Sequence, residues 1–210
     1  LVAMHPSAIV MRHAASGAPH FLARHLPPPI INAGDGTHEH PTQALLDART
    51  ILDRIGRLEE LRVAIIGDIA HSRVARSNIH LLAKFGNEIV LCGPPPLLPP
   101  AMAAVAPGVK LEFDINRAVA GAHVIMMLRV QLERIKEPVM PAGEYFQFYG
   151  LHADHLSLAD PDAIVMHPGP INRGREISTE VADSQRSMIL NQVENGVSVR
   201  MAVLERVLLG

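Results

Sequence analysis

The sequence is short of several things, and each shortage removes a class of protein. Its one cysteine, Cys92, cannot form a disulfide within the chain. The setting Glu88-Ile89-Val90-Leu91-Cys92 suits a buried strand thiol with no activating partner beside it. Lys and Arg (19) do not outnumber Asp and Glu (21), the net charge is −2, and no basic block occurs. The electrostatic footprint of a nucleic-acid binder is therefore missing. No apolar run reaches the ~18 residues of a membrane span, and no basic segment followed by an apolar core opens the chain. A cytoplasmic location without a membrane partner is the default expectation.

Several cofactor signatures are missing as well. His38-Glu39-His40-Pro41-Thr42 starts like a zinc-protease helix, but Thr42 stands where the second ligand histidine belongs. Gly67-Asp68 follows a strand and precedes a helix, yet the G-x-G-x-x-G spacing is absent, as is any G-x-x-x-x-G-K-[ST]. NAD and ATP are disfavoured. The lack of G-x-S-x-G weakens a serine-hydrolase reading.

What is present is a foldable chain, 48% hydrophobic and 19% charged over 210 residues, enough for one large domain or two small ones. Strand and helix signals alternate. Ala8–Met11 and Ile30–Ile31 read as strands around a helical stretch near His20–His25. Thr42–Ile55 reads as a helix with Ala44, Leu45, Ala48, Ile51, Leu52 and Ile55 at a 3.6-residue period, Pro41 in its first turn and Gly56 at its end. Strands follow at Leu61–Ile66, Ile89–Cys92, Leu111–Phe113, Val124–Leu128 and Ala163–Met166, with a helix at Val74–Lys84. The Pro-rich patch from Gly93 to Pro100 reads as a stiff strand-to-helix loop. A last helix, Ser187–Leu208, carries Ile189, Val193, Val197, Met201, Leu204 and Leu208 as an apolar ladder, expected to lie on the first domain. The fold class is α/β with doubly wound parallel sheets. The expected division is residues 1–58, residues 59–186, and a C-terminal helix, 187–210, packing back on the first unit.

Two stretches are dense in groups that bind small anions: Gly34-Asp35-Gly36-Thr37-His38-Glu39-His40-Pro41-Thr42-Gln43 and His167-Pro168-Gly169-Pro170-Ile171-Asn172-Arg173-Gly174. Arg12, Arg73, Arg129 and His167 stand at the C-terminal ends of expected strands, where open α/β sheets take their ligands. A guanidinium grips a carboxylate or phosphate through two parallel hydrogen bonds, so three of them suit substrates with several negative charges. His40 and Gln43 lie three apart at a helix N-terminus and face one way. For His13, His25, His71, His80, His152 and His155 the surface or core reading is favoured.

Taken in order, Val10-Met11-Arg12-His13, His40-Pro41-Thr42-Gln43, Gly67-Asp68 with His71-Ser72-Arg73-Val74-Ala75-Arg76-Ser77, Leu128-Arg129-Val130-Gln131-Leu132-Glu133-Arg134 and His167-Pro168-Gly169-Pro170 resemble the catalytic chain of the aspartate carbamoyltransferases. The likeness runs from about residue 8 to 206. The sister ornithine enzymes share His-Pro-x-Gln but usually carry His-Cys-Leu-Pro and Ser-Met-Gly elements, which this chain replaces with His-Pro-Gly-Pro and Arg-Val-Gln.

The resemblance implies a two-domain carbamoyltransferase fold with its first domain truncated, and a reaction in which the carbamoyl group of carbamoyl phosphate passes to the amine of L-aspartate in pyrimidine biosynthesis. Arg12, His40, Gln43 and the backbone at Gly169 and Pro170 would bind carbamoyl phosphate, with Arg12 and His40 polarising its carbonyl oxygen. Arg73 and Arg129 would hold the carboxylates of aspartate, supported by Gln131. No metal or organic cofactor is implied, while a homotrimer with shared active sites is, along with regulatory or dihydroorotase partner chains. Family members carry a further N-terminal stretch with a Ser-Thr-Arg-Thr phosphate loop and a lysine-bearing loop lent by a neighbour. The nearest string here, Ile177-Ser178-Thr179-Glu180, has Glu in place of Arg. With Leu1 opening the chain, the expectation is a fragment that turns over negligibly alone. The competing readings are a non-catalytic scaffold subunit of the same fold and a carbamoyltransferase for another amino acid such as ornithine.

Overall fold

The computed structural model describes residues 2–130 and 140–210. It begins with two parallel strands, β1 (Ile9–His13) and β2 (Ile30–Asp35), joined through helix α1 (Ala18–His25). Ile9 pairs with Ile30 and Met11 with Asn32. Helix α2 (Pro41–Ile55) follows β2. Proline opens it, where the missing N–H has no partner to lose, and Gly56 closes it at φ 84°, its N–H bonded to the Leu52 carbonyl.

A second sheet of five parallel strands holds most of the core: β3 (Arg62–Ile66), β4 (Glu88–Cys92), β5 (Val109–Glu112), β6 (Val124–Met127) and β7 (Ile164–Met166), in the order β5-β4-β3-β6-β7. Helices α3 (Arg73–Ala83), α4 (Ile115–Val119), α5 (Ala142–Tyr149), α6 (Ala153–Leu156) and α7 (Thr179–Ala182) connect and cover it, and α8 (Ile189–Leu209) ends the chain. Side chains alternate between two buried faces. Val63, Ile65, Ile89, Leu91, Val124 and Met126 pack with Ile51, Ile79 and Leu82, while Ala64, Ile66, Val90, Cys92, Ile125 and Met127 pack with Val119, Tyr145, Leu151 and Val181. Because both faces are dry, the strands read as unbroken apolar runs rather than alternating ones. Cys92 belongs to this core, and burial pushes its thiol up to about 12.

The strand order reverses at β3. From it the chain winds outward through β4 and β5, then returns to place β6 and β7 on the other side. The connections after β3 and β6 therefore diverge at the carboxyl ends of these two strands, the place where open α/β sheets take their ligands. Backbones approach closely there. A Cβ on Gly67, at φ 135°, would stand 3.0 Å from Leu128 Cβ, and one on Gly93 would meet the Gly67 carbonyl oxygen.

Three expectations need correction. Arg12 lies within β1 rather than after it, because pairing with β2 continues to His13. The Pro-rich patch is two short 3-10 turns, Pro95–Leu97 and Pro100–Ala104, that bury Leu97, Leu98 and Met102 and lead into β5. The apolar ladder of α8 does not seat on its neighbour: Val193, Val197 and Met201 are 63–67% exposed, and the buried residues of the helix are Gln192 and Gly196. Helix α8 does lie along α2 by another face, with Gln192 bonded to Asp47, Asn195 to Thr50, and Val203 and Val207 near Leu45.

Candidate functional site

The loop between β2 and α2 is built around Asp35. Its carboxylate accepts the Gly17 N–H (2.6 Å), the Asn32 amide (2.9 Å) and the Glu39 N–H (3.1 Å), and bonds His38 Nδ1 (3.0 Å). Burial alone would raise this carboxyl, but these bonds hold it down at about 2. The turn is thereby pinned, and His40 leaves it in a fixed place. The His40 N–H donates to Ser77 Oγ of α3 (2.9 Å), and its carbonyl accepts the Gln43 N–H (3.0 Å). Burial, then Arg73, Arg200 and Arg12, press the imidazole down to about 4. It is neutral at pH 7, so it can donate one N–H to an oxygen without adding a charge. Its Nδ1 is buried and has no hydrogen-bond partner among the described residues.

Gln43, one turn on, donates from Nε2 to Asp47 Oδ1 (3.0 Å). Asp47 also accepts Asn78 Nδ2 of α3 (2.8 Å) and Gln192 Nε2 of α8 (2.7 Å), and burial raises its carboxyl to about 6. The Gln192 oxygen then accepts the His167 N–H (2.9 Å). His167, past β7, has its ring wholly buried against Glu176 (Nε2 to Oε1, 3.2 Å), while Nδ1 accepts the Gly169 N–H (2.9 Å). Nδ1 is thus the acceptor and Nε2 carries the proton. Glu176 also accepts the Asn172 N–H, and so closes the loop that carries Gly169 and Pro170, joined by a cis peptide bond. One chain of hydrogen bonds therefore links the turn at His40 and Gln43 to the His167–Pro170 loop.

Arg73 opens α3, capped by Ser72, whose Oγ accepts the Ala75 N–H. Its side chain is buried, 8% exposed, and reaches back to the Gly36 carbonyl (3.3 Å). It passes so close to Gly34 that a Cβ there, at φ 113°, would stand 2.8 Å from Arg73 Nε. Arg129, half-buried, stands at the end of β6, and Arg12 is exposed at the end of β1. The fold thus gathers Arg12, His40 and Arg73 within electrostatic reach of one another, and ties Gln43 to the Gly169-Pro170 loop. Gln131 lies outside the described residues. A separate cleft of about 450 Å³, lined by Arg54, Arg57, His123, Asp160 and Asp162, opens at the amino ends of β6 and β7, the opposite edge of the sheet.

Sequence reasoning quoted Asp35 and Ser77 without giving them a role, and passed over Asp47, Asn78, Glu176, Gln192 and Arg200. One signal was available: Asp47 stands beside Ala48 on the buried stripe of an amphipathic helix, four residues after Gln43.

The carbamoyl-P binding domain of the aspartate/ornithine carbamoyltransferases matches residues 1–53, and their Asp/Orn binding domain matches residues 59–207. The chain belongs to this family. It is 75% identical over 208 residues to the aspartate carbamoyltransferase catalytic subunit of Solibacter usitatus, covering 99% of this chain and 69% of that protein. It is 59% identical to the corresponding subunit of Gluconobacter oxydans, covering 98% and 66%. The chain spans about two thirds of the length of these carbamoyltransferase relatives. Aspartate transcarbamoylase of Trypanosoma cruzi in complex with aspartate and phosphate superposes with a TM-score of 0.81 at 30% identity, over 99% of this chain and 66% of that one. Ornithine carbamoyltransferase of Gloeobacter violaceus superposes equally well, with a TM-score of 0.86 at 30% identity over 100% and 72%. Backbone shape is therefore common to both carbamoyltransferases, and sequence identity draws this chain to the aspartate branch.

Proposed function

We propose that the chain carries the site at which the carbamoyl group of carbamoyl phosphate is transferred to the α-amine of L-aspartate, releasing phosphate and N-carbamoyl-L-aspartate, as a step of pyrimidine biosynthesis. What supports the reading is the gathering of neutral His40, Arg12 and Arg73 beside Gln43, in a chain 75% identical to an aspartate carbamoyltransferase catalytic subunit. Arg12 and His40 polarise the carbonyl oxygen, Gln43 and the loop at Gly169 and Pro170 hold the carbamoyl group, and Arg73 and Arg129, with Gln131, hold the two carboxylates of aspartate. Attack by the neutral amine places negative charge on the carbonyl oxygen. A fixed N–H from His40 and the Arg12 guanidinium stabilise that charge with little reorganisation, and holding two substrates together lowers the entropic barrier. The departing phosphate takes up the amine proton.

The same reading includes a cytoplasmic homotrimer with shared active sites, joined by regulatory or dihydroorotase chains. The test is calorimetry of N-(phosphonacetyl)-L-aspartate against the purified protein, with phosphate release in the presence of L-aspartate or L-ornithine and sedimentation for the assembly. Binding with aspartate-dependent release supports the proposal. Ornithine-dependent release transfers it to the sister reaction, and absence of both binding and turnover in a chain extended to the relatives' full length rejects it in favour of a scaffold.

A further inference from the structure

Asp47 has no assigned contact with substrate itself, yet it is 2% exposed and accepts three amide NH2 groups from three different helices: Gln43 of α2, Asn78 of α3 and Gln192 of α8, at 2.7 to 3.0 Å. A carboxylate can only accept. Each carboxamide that meets it must turn its nitrogen inward and its oxygen away, which removes the two-fold choice a glutamine ordinarily has. For Gln192 the outward oxygen is used at once, accepting the His167 N–H at 2.9 Å. For Gln43 the outward oxygen accepts a hydrogen bond from no described residue, and it lies on the helix turn next to His40.

We propose that Asp47 is a positioning residue that turns the Gln43 carboxamide so that it offers an oxygen, not an NH2, to the bound substrate, and thereby selects a carbamoyl group over an acyl group of the same shape. The inference rests on the proposed function for the identity of the ligand. A carbamoyl group carries an NH2 where an acetyl group carries a methyl, so an acceptor is satisfied by the first and left bare by the second. Were Gln43 free to flip, its NH2 would face the ligand NH2, and the distinction would be lost. Through Gln192 the same carboxylate also steadies the His167–Pro170 loop, so one buried charge sets both sides of the carbamoyl end. Gly196 and Arg200 extend this face of α8. A Cβ at 196 would collide with the Arg200 guanidinium, which folds back onto the Gly196 carbonyl (2.9 Å) and supplies the positive field that Asp47 feels.

The experiment compares two phosphonates by calorimetry on the whole chain: phosphonoacetamide, and its methyl ketone counterpart with CH3 in place of NH2. The wild type is expected to prefer the amide by about tenfold, the value of one hydrogen bond. Asp47→Asn, which brings an NH2 of its own against the three donors and lets Gln43 turn, is expected to bring that preference close to one while inorganic phosphate binds as before. An unchanged preference in a folded Asp47→Asn protein overturns the proposal. A second reading needs no variant: in the 15N spectrum of the wild type, the Gln43 side-chain NH2 should exchange slowly before ligand is added and keep its shifts afterwards. Protection that arises only with phosphonoacetamide would mean that the NH2 faces the ligand, and would overturn the proposal even if Asp47→Asn fails to fold. Should neither phosphonate bind, it is the assigned ligand that fails, while slow exchange of the Gln43 NH2 still reports whether Asp47 holds it.

Discussion

Replacing Asp35 by Asn tests whether one buried carboxylate holds the loop that presents His40. The substitution keeps the shape, removes the charge, and sets an NH2 against donors that the carboxylate now accepts: the Gly17 and Glu39 N–H groups, the Asn32 amide and the His38 ring. A carboxyl held at about 2 instead of 3.8 corresponds to about 2.4 kcal/mol at 1.36 kcal/mol per pH unit. Asp35 has no exposed surface, but it lies beneath a thin cover of loop rather than deep in the core, so screening by nearby solvent cuts this to about 1–2 kcal/mol. One donor left facing the new NH2 adds about 1 kcal/mol, for a total near 2–3 kcal/mol. Because the folded carboxyl sits below its unfolded value, the contribution is complete above about pH 4 and fades as the pH falls toward 2. Urea denaturation of both proteins at pH 7, 4 and 3 should show the gap at pH 7 and its narrowing below pH 4. A gap under about 0.5 kcal/mol, or one that does not change with pH, refutes the reasoning.

Gly34→Ala should cost about 1–3 kcal/mol in thermal denaturation and weaken N-(phosphonacetyl)-L-aspartate by more than tenfold, since the new methyl takes the space of Arg73 Nε at a positive φ; a silent variant would show that Arg73 does not need this path. His40 should stay neutral down to about pH 5 in an NMR titration of its ring, and, its folded value lying below the unfolded 6.5, the stability it confers should be full above pH 6.5 and decline toward pH 4. A midpoint near 6.5 would contradict this. Val193→Asp should change the stability of this chain by no more than about 0.5 kcal/mol because the side chain is 67% exposed, whereas Ile51→Ala, fully buried, should cost about 2–5 kcal/mol; a large loss at 193 would place that face in a core.

Much of the fold could be read from the sequence because the relevant forces are local. The continuous apolar runs at Val63–Ile66 and Val124–Met127 follow from burial on both faces, and the limits of α2 from Pro41 and Gly56. The reading of α8 failed for a definable reason. Val193, Val197 and Met201 have the right period, but a period says only that one face is apolar, not which face touches a neighbour. The same limit hid Asp47. A carboxylate on a buried stripe is costly by itself, and besides its helix neighbour Gln43 it is Asn78 and Gln192, the latter 145 residues away, that make it tolerable.

By itself the sequence determined the class of fold, the order of the motifs and the residues with chemistry to offer: Arg12, His40, Gln43, Arg73, Arg129 and the His167–Pro170 loop. Those depend on side-chain type, turn chemistry and period, which are properties of short segments. Tertiary structure decided the surroundings of these residues. It kept His40 neutral by burying it and then by bringing guanidiniums from α3, α8 and β1 close to it. It also put one buried carboxylate where three helices meet and turned Gln43 to face outward. Charge state and amide direction are set by whatever lies within a few ångströms in space, and no spacing along the chain encodes that.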